Sequence, residues 1–184
     1  MRTIGFFGGA FDPIHFGHIS LAIQLLEING LDEVLFCPAF CSPFKTYAPP
    51  VASPQHRLAL LRLALERIPH FRITTLEIDR GGPSYTIDTL RALKGESAKL
   101  RLLMSEETAS QFNLWKESEE LSRIAPPLVG SRSPSHSSQR GYTPTKTMEI
   151  SSTEIRARLK KGLYCGHLVP PKALDYIHSH RLYS

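Results

Sequence analysis

Short apolar runs alternate along this chain with longer stretches in which apolar residues recur at helical spacing, and that alternation limits the folds open to it. The run TIGFFG (residues 3–8) breaks on Gly8-Gly9. Beyond the break Ile19, Ala22, Ile23 and Leu26 share one helical face, and Gly30 stands where a helix should stop. EVLFCP (33–38) reads as a second strand closed by Pro38. Ser53-Pro54 opens another helix, an N-cap with proline in the first turn; Leu58, Leu61, Leu65 and Ile68 form its stripe and Pro69 ends it. FRITTLEI (71–78) and KLRLLM (99–104) read as strands, with a short helix between them carrying Ile87, Leu90 and Leu93 inward. A helical region around Trp115 and a strand in PPLVGS (126–131) follow. Strands alternating with helices predict an α/β fold around a parallel sheet. Ligands of such sheets bind beyond the carboxyl ends of the strands, which is where the Gly-Gly break falls.

At 184 residues the chain is long enough for one sizeable core, and a single domain over 1–184 is expected. The richest apolar stretch, LALLRLAL (58–65), is short and carries Arg62, so no membrane span is expected. No secretory pattern opens the sequence, and Cys37, Cys41 and Cys165 form no CxxC pair; both point to a reducing, cytoplasmic setting. Cys37, Cys41 and His56 lack a fourth ligand at zinc spacing, so no resident metal site is expected. Residues 131–147, SRSPSHSSQRGYTPTKT, are polar and free of acids and read as a mobile surface loop. The net charge of +5 is concentrated late: residues 131–184 hold nine Lys/Arg against three Asp/Glu. That surplus fits an anionic partner, a small polyanion or a nucleic acid, or a solvated surface. No basic run with interleaved aromatics supports nucleic acid.

Two stretches carry chemistry. GFFGGAFDPIHFGH (5–18) matches neither the dinucleotide GxGxxG pattern nor the phosphate-binding GxxxxGK[ST] loop. His15 and His18, three apart, face the same way on a first helical turn. They could be half of a metal site, two structural histidines, or phosphate donors beside free helix amides. The last reading accounts for the glycines as well, and a bound phosphate would favour charged imidazoles. EISSTEIRARLKKG (149–162) has a capping box in Ser151 and Glu154, a staple in Ile150 and Ile155, an inward face continued by Leu159 and Leu163, and a stop at Gly162. It could be only a well-made helix. Ser152 and Arg156 nevertheless add a hydroxyl and a guanidinium to its exposed amides, a set suited to phosphate oxygens. Lys45 lies on the loop after the second strand, and the start at Ser84-Tyr85-Thr86 could take a carboxylate. Trp115 is either a half-buried core residue or a stacking platform.

GGAFDPIHFGH resembles the GGxFDPxHxGH motif of the nucleotidyltransferase superfamily, and ISSTEIR resembles its ISSTxIR partner. GPSYTIDTL, FNLW and LVPPKALDYIHSHRLY are similar to segments of the bacterial nicotinate-nucleotide adenylyltransferases. The resemblance spans nearly the whole chain. It implies a Rossmann-like, doubly wound parallel sheet with helices on both faces. It implies transfer of AMP from ATP to nicotinate mononucleotide, giving deamido-NAD and pyrophosphate, with Mg2+ bridging phosphate oxygens. By matched position, His15, His18, Lys45 and Arg156 serve catalysis. Gly8, Gly9, Phe11, Ser152 and Thr153 join the histidines and Arg156 around ATP. Tyr85, Thr86, Glu107 and Trp115 hold the acceptor. The chain departs from the family pattern at Phe44, where histidine is usual, and at Ser105-Glu106-Glu107, in place of Gly-x-Asp. Nicotinamide mononucleotide or another phosphate monoester as acceptor, and a nucleotide sensor without turnover, are the alternatives.

Overall fold

The computed structural model describes residues 1–43, 49–93, 98–132, 141–146 and 148–184. Six strands, β1 (Arg2–Gly9), β2 (Glu33–Pro38), β3 (Phe71–Ile73), β4 (Ala98–Ser105), β5 (Pro127–Ser131) and β6 (Tyr142–Pro144), form one sheet in the order β3-β2-β1-β4-β5-β6. Every neighbouring pair is parallel. The order reverses beside β1, so the crevice between the ends of β1 and β4 is the switch point at which such sheets take ligands.

Because the sheet is covered on both faces, its central strands are apolar almost throughout; all six residues of β2 are buried. One face packs Phe7, Val34, Phe36 and Leu103 under α1 (Phe16–Ile28), α2 (Pro54–Leu65), α7 (Ser152–Lys160) and α8 (Pro171–Ser179). The other packs Ile4, Phe6, Leu102 and Met104 under α4 (Thr86–Leu93) and α6 (Ser118–Ile124). Ser53 caps α2 as expected, its side chain accepting from the His56 amide. In α1 Ile19 and Ala22 are buried as the spacing predicts, but Leu21 and Leu25 join them while Ile23 and Leu26 are only partly buried, so the packed face is shifted from the predicted one.

Four expectations need correction. FRITTLEI is a strand only over Phe71–Ile73, and Leu76–Arg80 forms a short helix, α3. The side chain of Thr75 bonds Asp79 instead, and Glu77 and Asp79 sit in a first helical turn where carboxylates are favoured. The stretch 131–147 is not wholly loop: Ser131 ends β5, and Tyr142–Pro144 pairs with it as β6. Donation from the Val129 amide to Gly141 O and from the Thr145 amide to Ser131 O clamps that edge, where a proline is tolerated. Trp115 is not helical; it has extended backbone between a 3₁₀ turn (Phe112–Leu114) and α6. Leu163 is exposed, because the chain reverses at Gly162 (φ +66°). There the Leu163 amide bonds Arg158 O and the Gly162 amide bonds Leu159 O, a glycine-dependent helix stop.

Candidate active site

A cleft of about 1160 Å³ opens at the carboxyl ends of β1, β4 and β5. The first motif builds its floor. Gly8 and Gly9 close β1, and Phe11 turns the chain with φ +48° while its ring is buried. The chain then enters α1 with His15 as N-cap, whose Nδ1 accepts from the His18 amide at 3.3 Å. The two imidazoles stack, centroids 3.6 Å apart. Gly17 between them gives this stack room, since a Cβ there would lie 3.0 Å from His15 Nδ1.

The protonation of the pair follows from its surroundings. His15 is buried, which lowers its pKa to about 4; His18 is lowered well below the usual value by burial and then by its neighbour. Both are therefore neutral in the free protein; the charged imidazoles expected beside a bound phosphate belong to a different state. His15 Nδ1 is an acceptor, so its proton is on Nε2. His18 Nδ1 is buried against the Phe7 and Phe11 rings with no hydrogen-bond partner among the described residues. An N–H there would be an orphan donor, which places the proton of His18 on Nε2 too.

The second motif meets the first. Ser151 caps α7 through the Glu154 amide, as the capping box predicts. Ser152 Oγ donates to Pro13 O at 2.9 Å. Arg156 Nη1 donates to Asp12 O at 2.6 Å and Nη2 to Thr153 Oγ1 at 3.2 Å. Asp12 itself is buried: its carboxylate accepts from the amides of Val51 (2.7 Å) and Ala52 (3.1 Å) and from Tyr183 Oη (2.7 Å). Gly8, Gly9, Phe11, His15, His18, Ser152, Thr153 and Arg156 all line the one cleft.

At the other end of the cleft lie Tyr85, Thr86, Glu107 and Trp115. Tyr85 O receives the first intrahelical bonds of α4, from Asp88 and Thr89, which leaves the Thr86 and Ile87 amides at a free helix start. Trp115 is half-buried against Phe112, centroids 5.6 Å apart, a core contact that also lines the cleft. Ser105 is the N-cap of a short helix, α5 (Glu106–Ser110), its Oγ accepting from the Thr108 amide, so the departure from glycine supplies a cap. Lys45 and Phe44 lie outside the described residues.

Sequence reasoning missed three contributors. Arg57 is fully buried and donates to Ala52 O, Ala10 O and Phe40 O, tying together the segments that follow β1 and β2 and the start of α2. Its signal was an arginine four residues before Leu61, on the packed face of α2. Glu77, buried and lining the cleft, takes a bond from Thr89 Oγ1 at 2.8 Å; burial raises its pKa against those hydrogen bonds. Lys116, also lining the cleft, holds its ammonium 4.7 Å from the centre of the Tyr85 ring.

The cytidylyltransferase-like family model matches residues 6–158, which hold all of these cleft residues. A probable nicotinate-nucleotide adenylyltransferase of Thermus thermophilus is 39% identical over 187 residues, covering 98% of each chain. The chain belongs to the nicotinate-nucleotide adenylyltransferase family. A second member, from Hydrogenovibrio crunogenus, is 34% identical over 99% of this chain and 98% of its own. Among solved structures, the Plasmodium falciparum nicotinic acid mononucleotide adenylyltransferase complexed with NaAD superposes with a TM-score of 0.82 at 20% identity, covering 100% of this chain and 98% of that one. A putative nicotinate-nucleotide adenylyltransferase from Vibrio parahaemolyticus gives 0.75 at 19%, covering 97% and 99%. These likenesses establish the Rossmann-like fold, and membership of the adenylyltransferase family makes the protein a nucleotidyltransferase.

Proposed function

We propose that this chain transfers AMP from ATP to nicotinate mononucleotide, releasing pyrophosphate and forming deamido-NAD, a step of NAD biosynthesis. The observation that carries the residue roles is the meeting of two helix starts, α1 and α7, on one cleft, joined by the Arg156–Asp12 and Ser152–Pro13 bonds. In this reading the Nε2–H groups of His15 and His18 donate to oxygens at the reacting phosphate. Arg156, Ser152 and Thr153 hold the outer phosphates, with Gly8, Gly9 and Phe11 forming the floor and Lys45 a further cation. The acceptor lies at the start of α4, its carboxylate on the Tyr85 and Thr86 backbone and its ring against Trp115, with Glu107 toward the sugar.

The acceptor phosphate is already mostly anionic near neutral pH, its second pKa being about 6. It needs no general base, and catalysis reduces to alignment and to stabilising charge on the α-phosphate and the leaving pyrophosphate. The Nε2–H donors suit that task, and burial keeps both imidazoles neutral until an anion arrives. No group of three or more His, Cys, Asp or Glu suited to a metal occurs among the described residues. In this reading Mg2+ enters on the ATP phosphates, where it needs few protein ligands. No helix among the described residues is long and apolar enough to cross a membrane. The free state of Cys37, Cys41 and Cys165 supports a reducing, cytoplasmic setting.

Pyrophosphate release with MgATP and nicotinate mononucleotide tests the reaction. Arg156→Ala tests the phosphate assignment: kcat/KM falls roughly ten- to a hundredfold if one charge-assisted bond in the transition state is lost. Unaltered kcat/KM in that variant refutes the role.

A further inference from the structure

We infer that Lys116 is a specificity-determining residue that favours an acidic over an amide pyridine ring in the acceptor; this rests on the acceptor assignment above. The acceptor end of the cleft is rich in carboxylates. Glu77, Glu106 and Glu107 line it, and Asp88 stands in the first turn of α4. An acceptor that adds a carboxylate to this neighbourhood meets repulsion which its amide counterpart does not. The free amides at the start of α4 oppose that repulsion, but they donate to an amide oxygen as well as to a carboxylate, and so discriminate only partly between the two.

Lys116 supplies the missing charge. Among the described residues lining the cleft it is the cation at this end: Arg156 is held at the opposite end by Asp12 and Thr153, and Arg132 follows β5 and pairs with Glu149. Two contacts fix its position. The ammonium lies 4.7 Å from the Tyr85 ring centre and 3.3 Å from Asp88 Oδ2. Tyr85 is the residue whose carbonyl starts α4, so the charge is anchored directly at the helix start that faces the acceptor. It follows Trp115 in sequence, which places stacking surface and charge on one short segment. Pairing with Asp88 also offsets the carboxylate in the first turn of α4. A residue that acts only on packing would change both acceptors alike; a point charge acts on the difference between them.

The test compares kcat/KM for nicotinate and nicotinamide mononucleotides in the full-length protein. Lys116→Met lowers the acid-to-amide ratio roughly three- to fivefold, the upper range for a partly exposed charge pair. Lys116→Glu lowers it further, and Lys116→Arg restores it. An equal loss on both acceptors in Lys116→Met, or a ratio within twofold of the parent in both Lys116→Met and Lys116→Glu, overturns the assignment. Absence of pyrophosphate release with either mononucleotide in the parent protein overturns the underlying acceptor reading, and the proposal with it.

Discussion

Substituting Gly17 by alanine separates helix stability from the geometry of the histidine pair, because the two respond with opposite signs. Alanine in place of glycine in a helix is worth up to about 1 kcal/mol of stability. Here the added Cβ would stand 3.0 Å from His15 Nδ1 and 3.1 Å from Cε1, so the ring must retreat by a few tenths of an ångström. Its retreat weakens the bond from the His18 amide, at 3.3 Å already long, and a helix N-cap is worth about 1 kcal/mol. The two terms nearly cancel, and Tm should move by less than about 4 °C. Turnover has no such compensation. A misplacement of about 1 Å costs on the order of a hundredfold in an alignment-dominated reaction, so a shift of a few tenths corresponds to about tenfold in kcat. Differential scanning calorimetry paired with pyrophosphate release at saturating substrates reads both quantities. A kcat within twofold of the parent, with Tm inside the same window, would refute the claim that the stacked arrangement is what the glycine protects.

Two further perturbations probe the surroundings of the site. His15 has its pKa lowered from 6.5 to about 4 by burial, so below pH 6.5 the unfolded chain takes up a proton that the folded chain refuses. Stability is therefore full above pH 6.5 and declines as pH falls toward 4; His15 alone accounts for up to about 3 kcal/mol, and His18 adds to the decline. Urea melts at pH 7.5 and 4.5 measure it, and a His15→Asn variant as acid-sensitive as the parent would exclude His15 as a source. Tyr183→Phe keeps the buried ring and removes the 2.7 Å donor to Asp12, for a loss of about 1–2 kcal/mol and roughly 2–8 °C in Tm. An unchanged melting curve would mean that the amides of Val51 and Ala52 satisfy Asp12 alone.

What the sequence made legible was mostly local. The caps at Ser53 and Ser151, the glycine stop at Gly162 and the apolar strands depend on neighbours within a few residues, and each stands where its pattern placed it. Periodicity failed where local and distant preferences compete. TTLEI is rich in β-branched and apolar residues, yet the Thr75–Asp79 side-chain bond and the burial of Glu77 against Thr89 of α4 turn it helical. β6 was hidden for the complementary reason: a three-residue edge strand has no periodicity of its own and exists because β5 offers it a ladder. Of the site, residue types and spacing were sufficient to nominate both motifs. Burial was beyond reach, and with it the neutral state of the histidines, the enclosure of Arg57 and the partners of Asp12.

Those partners change what the first motif means physically. Sequence alone assigns its aspartate no partner. In the fold its oxygens are spent on two amides and a tyrosine hydroxyl, and Arg156 Nη1 stands 3.8 Å from Oδ2 while bonding the carbonyl of the same residue. Asp12 thus ties together three distant segments: the entry to α2, α7 through Arg156, and residue 183. It also lends Arg156 a partner that leaves part of the guanidinium free: that side chain is still 28% exposed, where a fully buried ion pair would have consumed it. In the proposed reading, a phosphate arriving at this end meets a cation already held in place, at little further entropic cost. The spacing of the two motifs in sequence, from residue 12 to residue 156, carries none of that information; the carboxylate between them does.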